Sequence, residues 1–172
     1  MLKIRLSLLC GLLIALLLIP VFAFAEADGF RNIKWGTDFS TLTDMQYVGT
    51  DPSYGGIKKY TKKGDELKIG GATLESIEYG FWQGKLSSVF IKVKGFASFS
   101  ALKDATFEKF GSGYKGNRFM ERYIWFGEIT TMMLDYREVS GAGSLFMNSK
   151  EINAQQKIYE QENAKKGAEK GF

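Results

Sequence analysis

The chain has 172 residues, with 23 lysines and arginines against 19 aspartates and glutamates, no histidine and a single cysteine, Cys10. Without imidazole, and with no thiol beyond residue 10, it has no route to a Ser-His-Asp or Cys-His nucleophile, a histidine-based zinc site, a haem attachment, an iron–sulfur centre or an intrachain disulfide. A net charge of +4 makes no electrostatic case for nucleic acid, and no cofactor or metal site is expected.

Lys3 and Arg5 precede an apolar run from Leu6 to Phe22, Pro20 breaks that run, and Ala23-Phe24-Ala25 places small residues before a cleavage point. The pattern predicts a secretory signal peptide over residues 1–25, cleaved after Ala25. An uncleaved anchor is the alternative, since the run is long enough to span a bilayer, but the A-x-A ending favours cleavage. Cys10 leaves with the leader, and so do Lys3 and Arg5, which lowers the net charge to +2. The expected destination is the periplasm or the outside of the cell, with no stable membrane anchor after cleavage.

Residues 26–150 read as a single α+β domain, an antiparallel sheet with helices on one side, and residues 151–172 as a polar C-terminal helix or tail. Phe30, Ile33 and Trp35 form an entering extended segment. Gly36 ends it, and Thr37 or Asp38 caps a short helix carrying Phe39, Leu42 and Met45. Strands are predicted over 46–49, 57–62 and 66–69, separated by the loop Asp51 to Gly56 and the turn Lys62 to Asp65. The strongest signal is the hairpin Leu74 to Val93. Ile77, Tyr79 and Phe81 alternate with Glu78 and Gly80, and Val89, Ile91 and Val93 alternate with Phe90 and Lys92. For both apolar sets to share a face, the loop must hold an odd number of residues, which predicts Trp82, Gln83 and Gly84 closing a bulged turn.

Residues 96–111 form the best helix, capped by Ser98 or Ser100, with Phe99, Leu102, Thr106 and Phe110 on one stripe and Gly111 as terminator. Strands follow over 121–126, 129–137 and 143–148. Asn148 with Glu151 is read as a capping box for a last helix reaching about Lys166, solvated along most of its length. The segments 30–95 and 96–148 each read as a helix followed by a meander, which suggests a duplicated α-β-β-β unit.

Gly111 to Gly116 matches G-x-G-x-x-G, but a helix ends there and a strand follows, the reverse of a dinucleotide site, so a connecting loop explains the glycines. Two acid pairs, Asp135 with Glu138 and Glu75 with Glu78, are the carboxylates open to general acid–base work, with surface ion pairing as the competing reading. The lysine pairs at 58–59, 62–63 and 165–166 read as solvated charge, with weak attraction to an anionic lipid or polysaccharide as the alternative. Aromatics are the remaining binding signal. Trp82 and Phe90 lie on the far face of the hairpin, and Tyr123 with Trp125 joins them if Ile124 and Phe126 point into the core.

At FRNIKWGT, LKIGGATLESIEYGFWQGKL and YIWFGEITTMMLDY the chain resembles a set of small exported bacterial proteins of unknown function, which share a W-G-T opening, a G-x-x-L-x-x-I-x-Y-x-F arm, a G-K-L turn and a late aromatic strand. The arrangement is also similar in topology to β-lactamase-inhibitor proteins and to the small lipoprotein subunit of the outer-membrane assembly machine. The lipidated cysteine of the latter has no counterpart here, so its anchoring does not carry over. The resemblance implies no catalytic residues. The expected function is a non-catalytic binding or envelope-accessory module whose partner is an envelope protein, a peptide or a glycan; the alternative is a carboxylate-dependent hydrolase acting on envelope glycan.

Overall fold

The computed structural model describes residues 26–171; the expected leader lies outside them. A seven-stranded antiparallel sheet is built from β3 (Met45–Asp51), β4 (Ile57–Lys62), β7 (Ser76–Trp82), β8 (Lys85–Lys94), β9 (Glu121–Phe126), β10 (Thr130–Arg137) and β11 (Ala142–Ser149). Its order is β3-β4-β7-β8-β11-β10-β9, so two meanders meet where β8 pairs with β11. Two ribbons flank it, β1 (Gly29–Phe30) with β2 (Ile33–Lys34), and β5 (Lys68–Ile69) with β6 (Ala72–Thr73). Helix α1 (Phe96–Phe110) leads into the second meander, and α2 (Lys150–Gly171) ends the fold.

The β7–β8 hairpin is the centre of the core, and its turn differs from expectation. It holds two residues, Gln83 at φ +48° and Gly84 at φ +78°, the left-handed pair of a type I′ turn. The odd residue that the alternation demands sits inside β8 instead. Phe81 pairs with Leu86 and Gly80 with Ser88, which leaves Ser87 as a bulge. Ser87 is buried, and its hydroxyl donates to the Gly80 carbonyl at 3.0 Å, which satisfies the polar group the bulge takes inside. Leu86, Val89, Ile91 and Val93 are all fully buried as a result.

The inner face of the sheet is covered by α1, by the two ribbons and by a single 3-10 turn, Phe39–Thr41, capped by Asp38. That turn is all that forms of the short helix expected there, and Met45 belongs to β3. The turn and α1 share a side, as the duplicated unit requires. The two halves differ in strand number, because β3, β4, β7 and β8 face β9, β10 and β11.

Helix α1 begins earlier than its serines suggest. Gly95 at φ +80° occupies the N-cap and its N–H donates to Gly141 O at 2.8 Å, so β8 turns directly into the helix. Phe99, Leu102 and Thr106 are its buried residues, and Phe99 stacks on Tyr136 with centroids 4.8 Å apart. The 3-10 turn sets Phe39 edge-on to Phe81 at 5.3 Å. The buried Tyr79 hydroxyl is a polar group within this core: it donates to Asp65 at 2.7 Å, and Arg31 clamps the same carboxylate at 2.6 Å. Burial first, then the hydrogen bond to Asp65, pushes the Tyr79 hydroxyl well above the usual tyrosine range, so it stays a donor.

Close packing at Gly143 gives a direct check. A Cβ there would stand 2.7 Å from Val93 Cγ2 and 3.0 Å from Phe99 Cδ2. Gly143→Ala is expected to destabilise the protein by about 1–3 kcal/mol in urea unfolding, through overpacking between β11 and α1. An unchanged midpoint would show that the two do not approach so closely.

Candidate functional site

Helix α2 crosses to the outer face, away from α1. It is capped by Ser149, whose hydroxyl accepts from the Ile152 N–H at 3.3 Å, and not by Asn148 as expected. Ile152 and Gln156 are buried and Tyr159 is half-buried, a stripe at four- and three-residue spacing that seats the first half of the helix. Residues 160–169 are exposed.

The seat is Trp82. Its ring meets that of Tyr159 edge-on at 5.9 Å, and its Nε1 donates to the Tyr54 carbonyl at 2.8 Å. Tyr54 presents that carbonyl from a left-handed backbone at φ +53°, within the 3-10 turn Ser53–Gly55. Gly55 lets Tyr159 approach, since a Cβ there would stand 2.6 Å from the tyrosine oxygen.

Between α2, this turn and the outer face of β4, β7, β8 and β11 lies a groove of about 450 Å³. Gly80, Ser88, Phe90 and Phe146 contribute to its floor, and Asn148, Asn153 and Gln156 bring amides to one wall. Phe90 and Phe146 meet at 6.2 Å with their planes inclined at 61°, and Lys92 Nζ lies 5.4 Å from the Phe90 centroid. The charges are matched. Glu78 pairs with Lys92 at 2.5 Å. The Ser53 hydroxyl and amide, and then Lys59, hold the Asp51 carboxyl below its ordinary range.

Among the described residues, one buried side-chain polar atom lacks a hydrogen-bond partner, and it belongs to this groove. Gln156 is 4% exposed, and its Nε2 is a buried side-chain nitrogen with no hydrogen-bond partner. Leaving such a donor unpaired costs about 1–3 kcal/mol. Two other cavities contrast with this. A cleft of about 630 Å³ beside β1 and α1 contains Arg31 and Glu26, whose polar atoms are already engaged, Arg31 by Asp65 and Glu26 by the amides of Ile129 and Thr130. A third, of about 410 Å³, runs along Trp125 and Gly113.

The four aromatics singled out from sequence are not brought together. Trp82 and Phe90 lie on the outer face, Trp82 buried beneath Tyr159 and Phe90 half-buried in the groove. Tyr123 and Trp125 turn inward, because their cross-strand partners are the core residues Leu134 and Met132 and directly paired residues share a face. They pack on Phe107 of α1 at 5.0 and 5.9 Å. Ile124 and Phe126 take the outer face, and Phe126 is 72% exposed. The glycine-rich loop after α1 serves Trp125. Gly111 O accepts from its Nε1 at 2.9 Å, and a Cβ on Gly113 would stand 2.8 Å from its ring.

Neither acid pair converges. Members three apart on an extended chain point to opposite faces. Glu75 is exposed while Glu78 binds Lys92, and Asp135 is buried between Arg122 at 2.8 Å and Arg137 at 3.8 Å while Glu138 is exposed. Among the described residues no group of three or more Asp, Glu, His or Cys side chains is placed to hold a metal ion. No helix among them is long and apolar enough to cross a membrane.

No protein-family model, curated protein or solved structure matches the chain.

Tyr123 carries a testable electrostatic cluster. Its hydroxyl donates to Glu121 at 2.9 Å, and Lys115 and Lys103 reach the same carboxylate at 2.7 and 3.3 Å. The Lys115 hydrogen bond, outweighing desolvation, lowers the Glu121 carboxyl from 4.5 to about 2. A carboxyl depressed in the folded state contributes stability that is fully present above pH 4.5 and lost as pH falls through about 2. Glu121→Gln is expected to flatten the acid limb of the stability profile across that window, read by urea unfolding at a series of pH values. A limb as steep as that of the parent chain would remove Glu121 from the cluster.

Proposed function

We propose that this chain is an exported, non-catalytic binding module of the bacterial envelope, with the groove between the outer sheet face and α2 as its ligand site. The observation that carries the reading is the buried, unpartnered Gln156 Nε2 in a groove where Glu78 is paired with Lys92 and Asp51 is held by Ser53. A catalytic site that moves protons needs a group free to exchange them, and such groups are held off balance by their surroundings. Here Glu78 is tied to Lys92, and Asp51 is stabilised as the anion by Ser53. Export rests on the apolar stretch before Ala25 and its A-x-A ending. The resemblance to small exported bacterial proteins points the same way. The partner is an envelope component: a protein, a peptide or a glycan.

The test is native mass spectrometry of the full chain expressed with its leader and purified gently from an envelope fraction. The expected result is a chain beginning at Glu26 that carries additional mass, released on collisional activation. A chain that keeps residues 1–25 in the cytoplasmic fraction would overturn the export. A bare mass from every envelope fraction would overturn the binding role.

A further inference from the structure

We propose that the groove takes an uncharged saccharide, with Gln156 Nε2 donating to a sugar oxygen held above Phe90 and Phe146. The inference rests on the reading of the groove as a ligand site and adds the chemistry of what fills it. The strands beneath the groove exclude one common alternative. β4, β7, β8 and β11 are each paired on both sides, so none has a free backbone ladder to offer an extended peptide. Recognition must come from side chains.

Those side chains suit hydroxyl groups. Asn148, Asn153 and Ser88 can each donate and accept, which is the requirement for binding a polyol. Gln156 adds a donor that nothing in the protein uses. The matched pairs, Glu78 with Lys92 and Asp51 beside Lys59, leave no net formal charge for an ionic ligand to neutralise. Phe90 and Phe146, both half-buried, add apolar ring surface against which the C–H faces of a pyranose can pack. The volume, about 450 Å³, lies within the range of small-ligand sites, about 300–1,000 Å³.

The experiment follows the side-chain amide resonances of Gln156 by 15N NMR in the mature chain, with chitotetraose and cellotetraose as neutral probes and tetragalacturonate as the charged comparator. The expected result is a saturable shift with a neutral probe alone, and an affinity, read in every variant from the Asn148 side-chain amide that also lines the groove, weakened at least about tenfold in Gln156→Leu and in Phe90→Ala. Asn153→Ala, on the half-exposed rim, replaces Gln156→Leu if that variant fails to fold. If the neutral saccharides leave the Gln156 resonances unmoved while tetragalacturonate or a peptide fraction of the envelope shifts them, the saccharide is refuted and the ligand site stands. If no probe and no envelope fraction moves them, both fall, and the amide is satisfied by water.

Discussion

Everything in this fold is arranged around a register problem that an unbroken hairpin cannot solve. Phe81 and Leu86 face each other across a two-residue turn, and both must be inside. Continued without interruption, that pairing would set Tyr79 opposite Ser88 and turn Val89, Ile91 and Val93 out to solvent. The bulge at Ser87 shifts β8 by one residue, so Tyr79 meets Val89, and Ile77, Tyr79 and Phe81 share the inner face with Leu86, Val89, Ile91 and Val93. The same shift places Gly80 against Ser88 on the outer face, where a Cβ on Gly80 would stand 2.3 Å from the Ser88 hydroxyl. One extra residue therefore completes the dry core on one side and contributes small, polar positions to the groove floor on the other.

The two faces use different physics. The inner face is closed by apolar burial, with α1, the ribbons and the 3-10 turn covering it, and the polar groups within it are engaged: Tyr79 donates to Asp65, which Arg31 holds, and Thr106 donates to the Leu102 carbonyl. The outer face is covered by α2 through few side chains, with Trp82 and Tyr159 as the anchor. A helix seated by so short a stripe leaves room beside it, and that room is the groove. Among the described residues, its Gln156 Nε2 is a buried side-chain nitrogen with no hydrogen-bond partner.

Most strands were legible because alternation survives in them: β4 and β9 begin and end where the pattern says. The inner stripe of α1 was equally plain. The turn was misplaced because parity fixes that an odd residue is needed but not where it sits; Ser87 carries no signal that separates it from Ser88. The face of Tyr123 and Trp125 was undecidable locally, since both pairs in Tyr123-Ile124-Trp125-Phe126 are apolar. Cross-strand pairing with Met132 and Leu134 settles it. The groove was invisible for a further reason. Gln156 and Asn153 stand in a helix whose composition reads as solvated, and only Ile152 and Tyr159, flanking Gln156 at helical spacing, hinted at a buried stripe.

The claim on which the functional account depends is that the first half of α2 is a fixed wall of the groove and not a frayed tail. Native-state hydrogen exchange on the mature chain measures this directly. The account predicts that the amides from Asn153 to Tyr159 exchange as slowly as those of the central strands, while those beyond residue 160 exchange rapidly. Uniformly rapid exchange along the whole of α2 would contradict it, because the groove would then have no second wall.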